Sequence, residues 1–153
     1  MKSDLLTLAE VKQKVLDLLS RRDYSRHELF SKLKEKANLE ELNRVLDDMA
    51  ERGWQSDQRF ANNFLNSRSS KYGPLRLQQE LRNKGIHSDL SSQAFDELEV
   101  NFKQQAREIF ERKFPDFDAT DMKQKAKAYR FLAQRGFSAE QVQYALRAQL
   151  DND

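Results

Sequence analysis

The chain of 153 residues has no cysteine, which excludes disulfides, thiol nucleophiles and cysteine-ligated zinc sites and suits a reducing, cytoplasmic setting. It has only two prolines and four glycines, too few for a turn-rich β fold, so long uninterrupted helices are expected. No run approaches the ~18 apolar residues of a membrane span. The first ten residues carry Lys2, Asp4 and Glu10, so no signal-peptide core is expected there. Charge of one sign is lacking too. Lys plus Arg total 27 and Asp plus Glu 25, and a formal net charge of +2 does not by itself predict nucleic-acid binding. With 38% hydrophobic and 34% charged residues, the core is modest and the charged surface large.

What is present is helical periodicity, in three rounds. Leu8, Val11, Val15, Leu18 and Leu19 mark a helix extending to Arg22. Ser25 with Glu28 three residues on forms a capping box for a second helix, through Lys36. Asn38 caps a third, with Leu42, Val45, Leu46 and Met49 on its stripe and Gly53 as its stop. The middle third repeats this plan. Ser56 or Asp57 opens a helix with Phe60 and Phe64; Tyr72-Gly73-Pro74 turns into a helix ending at Gly85; Ser88 or Asp89 opens a third. The last third follows, with Ala106, Ile109 and Phe110, then Ala128, Phe131 and Leu132 up to Gly136, then Val142, Ala145 and Leu146.

The correspondence is arithmetic. Tyr24, Leu29, Leu33, Lys36 and Leu42 recur 48 residues on as Tyr72, Leu77, Leu81, Lys84 and Leu90. Leu81, Gly85, Ala94 and Phe95 recur 51 residues on as Leu132, Gly136, Ala145 and Leu146. The expected fold is all-α: three tandem three-helix repeats, over 1–54, 55–100 and 101–153, stacked into an elongated, curved body. Trp54 is expected to pack between the first two repeats, and the acidic tail Asp151-Asn152-Asp153 to fray.

Residues for catalysis are scarce. His27 and His87 lack partners at metal-ligand spacing, no glycine-rich phosphate loop appears, and carboxylate pairs such as Glu40-Glu41 read as solvated helix faces. No enzyme, metal or cofactor is expected. Charge distribution says more. From Gln58 to His87 six cations, Arg59, Arg68, Lys71, Arg76, Arg82 and Lys84, stand against Glu80 alone. From Met122 to Ala139 stand Lys123, Lys125, Lys127, Arg130 and Arg135 with no acid. The two segments occupy equivalent places in their repeats, so stacking would align them into a basic strip suited to a phosphate backbone or an acidic protein surface. Tyr72 either packs its turn or stacks on a base. Phe60, Phe64 and Phe131 read as core. A helix-turn-helix reading of Tyr24 to Trp54 meets Asp47, Asp48 and Glu51 on the would-be recognition helix, where phosphates would repel them.

The middle segment resembles the signature of the RecX family: Gly53-Trp54, Asp57, Arg59-Phe60-Ala61, Phe64, Ser67-Arg68, Tyr72-Gly73-Pro74, Arg76-Leu77, Glu80-Leu81 and Lys84-Gly85-Ile86. Looser likeness continues in Ser25-Arg26-x-Glu28-Leu29 and in Phe131-Leu132 through Arg135-Gly136-Phe137. The resemblance implies a cytoplasmic, non-enzymatic regulator of bacterial recombination, DNA repair and the SOS response, built of three three-helix repeats. Its implied partner is the RecA filament on single-stranded DNA, in whose groove it would lie, suppressing ATPase, strand exchange and coprotease activity by blocking growth or promoting disassembly. Joined to the charge pattern, it nominates Arg59, Arg68, Lys71, Tyr72, Arg76, Arg82 and Lys84 as partner or DNA contacts, with Lys123, Lys125, Lys127 and Arg130 second. Arg59 and Arg68 are also candidates to pair with Asp57 or Glu80 and hold packing. A monomer with no membrane association is expected. The alternative is a general nucleic-acid-binding helical repeat that competes for DNA.

Overall fold

The computed structural model describes residues 4–151, with side chains as far as 147. The acidic tail beyond the backbone of Asp151 lies outside the described residues. Among them are nine helices and no strand: α1 (Leu8–Leu19), α2 (Arg26–Leu33), α3 (Leu39–Glu51), α4 (Asp57–Arg68), α5 (Pro74–Asn83), α6 (Ser88–Glu97), α7 (Phe102–Lys113), α8 (Met122–Gln134) and α9 (Ala139–Asp151). The chain is all-α with tandem three-helix repeats.

Local chemistry sets the helix starts. The box at Ser25 forms as expected: its hydroxyl accepts the Glu28 N–H at 3.1 Å, and Glu28 accepts the Ser25 N–H at 3.0 Å. Of the two candidates at α4, Ser56 is the cap, accepting the Arg59 N–H at 3.1 Å. Asp57 instead accepts the Arg26 N–H and the Gln55 amide, both at 2.9 Å. At α6 neither expected residue caps. His87 does so, its ring Nδ1 accepting the Asp89 N–H at 3.1 Å.

Three helices end alike. Gly53, Gly85 and Gly136 have φ of 74°, 76° and 97°, and the residue after each donates its N–H back to Met49, Leu81 and Leu132 respectively. These are Schellman ends, which need a left-handed residue that only glycine adopts without strain. Helices α1 and α2 stop short of the expected Arg22 and Lys36. The Ser20 hydroxyl bonds the Asp17 carbonyl at 2.6 Å at the end of α1, and Lys36 N–H bonds Leu33 in a tight turn after α2.

The chain forms two compact units. Unit 1 holds the chain as far as Asn63 together with Leu81–Phe95; unit 2 holds Phe64–Glu80 and the chain from Asp96 onward. The core of unit 1 gathers Val11, Val15, Leu29, Leu42, Leu46 and Met49, all fully buried. That of unit 2 gathers Ala106, Phe110, Ala128, Leu132 and Val142, with Phe117 edge-on to Phe110 at 4.9 Å. Fully burying one such leucine or phenylalanine contributes roughly 1.5–3 kcal/mol. Trp54, expected between repeats, is 47% exposed.

Each unit contains one joint between repeats, and the two joints correspond. In unit 1 the start of α2 meets the end of α5: the Ser25 hydroxyl donates to the Lys84 carbonyl at 2.8 Å, and Gly85 lies so close to His27 that an added Cβ would collide with the His27 side chain. In unit 2 the start of α5 meets the end of α8. Gly73 N–H bonds the Arg135 carbonyl at 2.7 Å, Leu75 N–H bonds the Gly136 carbonyl at 2.9 Å, and a Cβ on Gly73 would stand 2.5 Å from the Gly136 backbone. In both, the positive end of one helix satisfies the carbonyls at the negative end of another.

Candidate functional site

The joint in unit 2 opens onto a cleft of about 520 Å³ lined by Ser70, Lys71, Tyr72, Ile109, Arg112, Lys113, Phe131 and Arg135. Four of these eight carry positive charge and none is a carboxylate. The turn before α5 supplies Lys71 and Tyr72, the last turn of α7 supplies Arg112 and Lys113, and α8 supplies Phe131 and, just past its end, Arg135. Gln105 of α7 pins the turn by donating its amide to the Ser70 carbonyl at 2.6 Å, and Arg135 donates to the Lys71 carbonyl at 3.3 Å.

The aromatic rings order these cations. The guanidinium of Arg76 lies 4.1 Å from the Tyr72 ring centre, that of Arg68 4.7 Å and that of Arg135 5.5 Å. Arg135 also lies 5.0 Å from the Phe131 ring centre, and the Lys113 ammonium 5.4 Å. Each such contact is worth roughly 0.5–1 kcal/mol where exposed, enough to restrain a long side chain. Tyr72 is thus a platform for arginines, and guanidinium groups cover the ring that would otherwise stack on a base. Phe131, expected in the core, is half-buried and forms part of the cleft wall.

The nominated residues divide. Arg59 donates Nε to Asp23 at 2.9 Å and its Nη atoms to the carbonyls of Gly53 and Trp54 at 3.0 Å, so it ties the loop between α3 and α4 to unit 1. Its carboxylate partner is Asp23, and not Asp57 or Glu80, the candidates read from the sequence. Arg68 forms the expected pair with Glu80, a fork of two 3.0 Å bonds, and Arg76 reaches the same carboxylate at 3.4 Å. Lys84 bonds Glu28 at 3.1 Å. Arg82 is exposed near the end of α5. On α8, Lys123, Lys127 and Arg130 are exposed at i, i+4 and i+7, on one face; Lys125, also exposed, lies about half a turn round the helix. The structure brings Lys71 and Tyr72 to the cleft and adds Arg112, Lys113 and Arg135. Arg135 belongs to the basic segment read from the sequence, whereas Arg112 and Lys113 do not stand out there because Glu108 and Glu111 beside them cancel the local charge.

Glu28 holds the charged side of the joint in unit 1. Burial pushes its carboxyl up, but hydrogen bonds from Arg22, the Ser25 N–H and Lys84 outweigh this, and its pKa lies below the ordinary 4.5. Among the described residues there is no cluster of metal-ligating side chains and no helix long and apolar enough to cross a membrane.

The fold and cleft define a class: an all-helical tandem-repeat protein that presents ordered cations at a joint between repeats. Family models for the first, second and third three-helix domains of RecX match residues 12–49, 56–94 and 103–146. The regulatory protein RecX of Chromobacterium violaceum is 43% identical over 147 residues, covering 94% of this chain and 93% of its own length. That of Neisseria meningitidis serogroup C is 41% identical over 144 residues, covering 94% and 93%. Two solved structures share the fold. A crystal structure of regulatory protein RecX has TM-score 0.76 and 20% identity, covering 89% of this chain and 71% of its own. RecX from Lactobacillus salivarius has TM-score 0.76 and 17% identity, with both chains fully covered. The chain belongs to the RecX family of regulatory proteins.

Proposed function

We propose that this chain restrains the RecA recombinase by binding, as a monomer, to the filament that RecA forms on single-stranded DNA in the cytoplasm, lowering its ATP hydrolysis, strand exchange and coprotease activity. The observation that carries this reading is the cleft: four cations converging on one concavity with no carboxylate in its lining, in a family of regulatory proteins. Its side chains attract and orient an anion, and the action proposed for it is occupancy, in keeping with a family named for regulation. Lys123, Lys127 and Arg130 extend the cationic surface of α8, and of the repeats 1–54, 55–100 and 101–153 the second and third carry these contacts.

The test is single-stranded-DNA-dependent ATP hydrolysis by RecA, titrated with the chain. Loss of hydrolysis well below one chain per RecA subunit is expected of a regulator acting on filament ends or over several subunits. Loss only when the chain saturates the DNA would replace this reading with simple competition for the strand, which the same cations would support. No loss at all would overturn it.

A further inference from the structure

We propose that α8 carries a docking seam for an acidic amphipathic α-helix of another protein, formed by an exposed apolar line bordered by unpaired cations. Met122, Ala126, Tyr129 and Ala133 follow one another at steps of four, three and four, the spacing of the a and d positions along which one helix packs on a second. All four are exposed, Met122 at 74% and Tyr129 at 37%. The line runs for roughly 17 Å, about a third of a turn round the helix from the buried Ala128 and Leu132. Packing within unit 2 thus uses one face of α8 and leaves this one open. Nor does the repeat require it. The 51-residue step places Lys71, Leu75, Gln78 and Arg82 at the corresponding positions of α5, and the 48-residue step places Asp23, His27, Phe30 and Lys34 there in α2. The apolar line occurs in the third repeat alone.

The borders of the line select its occupant. With the apolar residues at a and d, Lys123 and Arg130 fall at e and Lys125 at g, the positions whose charges choose a partner helix. Among the described residues none of these three has a carboxylate partner, whereas Arg59, Arg68 and Lys84 are paired. Acids flanking the apolar stripe of a second helix would meet them. A second copy of α8 would set cation against cation, so the seam rejects self-pairing. Ala126 and Ala133 let a helix backbone approach closely, and the flexible Met122 and the ring of Tyr129 supply the area it would bury. Two alanines add too little apolar surface for insertion into a bilayer, and a phosphate backbone gains nothing from an apolar line. The inference goes beyond the proposed function and does not rest on it.

The experiment follows the fluorescence anisotropy of a fluorescein-labelled synthetic helix of about three heptads, with leucine at a and d and glutamate at e and g, titrated with the full chain at about 150 mM salt. Saturable binding is expected. A helix with lysine at e and g should bind at least about ten-fold more weakly, as should one that keeps its glutamates but has the leucines moved off the stripe. Ala126→Gln with Ala133→Gln alters no charge and touches exposed positions, so melting should hold while affinity falls at least about ten-fold. Lys123→Glu with Lys125→Glu and Arg130→Glu should invert the preference in favour of the lysine helix. Equal binding of the patterned and the rearranged glutamate helix would reduce the effect to bare charge and overturn the inference. So would wild-type affinity in the alanine variant, no binding by the wild type, or self-association of the chain that the alanine variant abolishes. Capture by phosphatidylglycerol vesicles with no peptide binding would assign the face to a lipid surface and overturn it as well. No recombinase enters this assay, so its failure and failure of the proposed function are separate results.

Discussion

At Glu28 three donors converge on one largely buried carboxylate: the Arg22 guanidinium, the Ser25 N–H and the Lys84 ammonium. Because these hold its folded pKa below the unfolded value, the stabilisation is present above about pH 4.5 and is lost as pH falls through the folded pKa. Glu28→Gln is expected to cost about 1–2 kcal/mol at neutral pH, discounted for the half-exposed Arg22, and in urea titrations the difference from wild type should close as pH falls below the ordinary 4.5 and through the lowered folded pKa. Wild-type stability in the variant at pH 7 would refute this account. The same geometry alters how charge reversal at position 84 is read. Lys84→Glu would set two carboxylates together and loosen unit 1, so lost function in that variant measures folding as much as binding. Of the arginines in the sequence signature, Arg59 and Arg68 are held in forked or multiple bonds to their own chain, a structural role that a row of letters does not separate from the contact role proposed for their neighbours.

Among the elements, the glycine-stopped ends of α3, α5 and α8 shape the fold. The glycine stops at Gly53, Gly85 and Gly136 were readable because a helical stripe followed by glycine has few other meanings. That Gly136 must also admit another helix was not readable, since the colliding atom is the Cβ of Arg76, far off in sequence. Gly136→Ala should therefore cost about 2–4 kcal/mol, combining left-handed strain of roughly 1–2 with an overpacked joint. Gly53→Ala, at a similar φ but with nothing within 4 Å of an added Cβ, should cost only the strain. Equal thermal shifts for the two variants would show that the close approach is unimportant. The cap of α6 is the opposite case. A histidine ring nitrogen is an uncommon cap, and Ser88 and Asp89 beside it are the commoner choices, so residue type pointed one position too far along.

Over the whole molecule a net charge of +2 forbids strong long-range attraction to DNA, and any affinity must come from local clusters. If the cleft engages three phosphates, affinity for single strands should fall roughly 20-fold between about 50 and 200 mM salt, a slope near −2. A slope much steeper than that would mean that the exposed Lys123, Lys127 and Arg130 bind phosphate as well; a flat profile would remove phosphate contacts altogether.

Helical class, the repeat, most caps and stops, and the family signature followed from the sequence alone, because each depends on residues within a few positions of one another or on a pattern recurring along the chain. Which cations face an anion was decided by tertiary structure. Arg59 and Lys84 meet carboxylates 36 and 56 residues away, while Arg112 and Lys113 join Lys71 and Arg135 across comparable separations. A charge neutralised by a distant partner and one left facing solvent are identical in a row of letters; they differ only in what the folded chain places beside them.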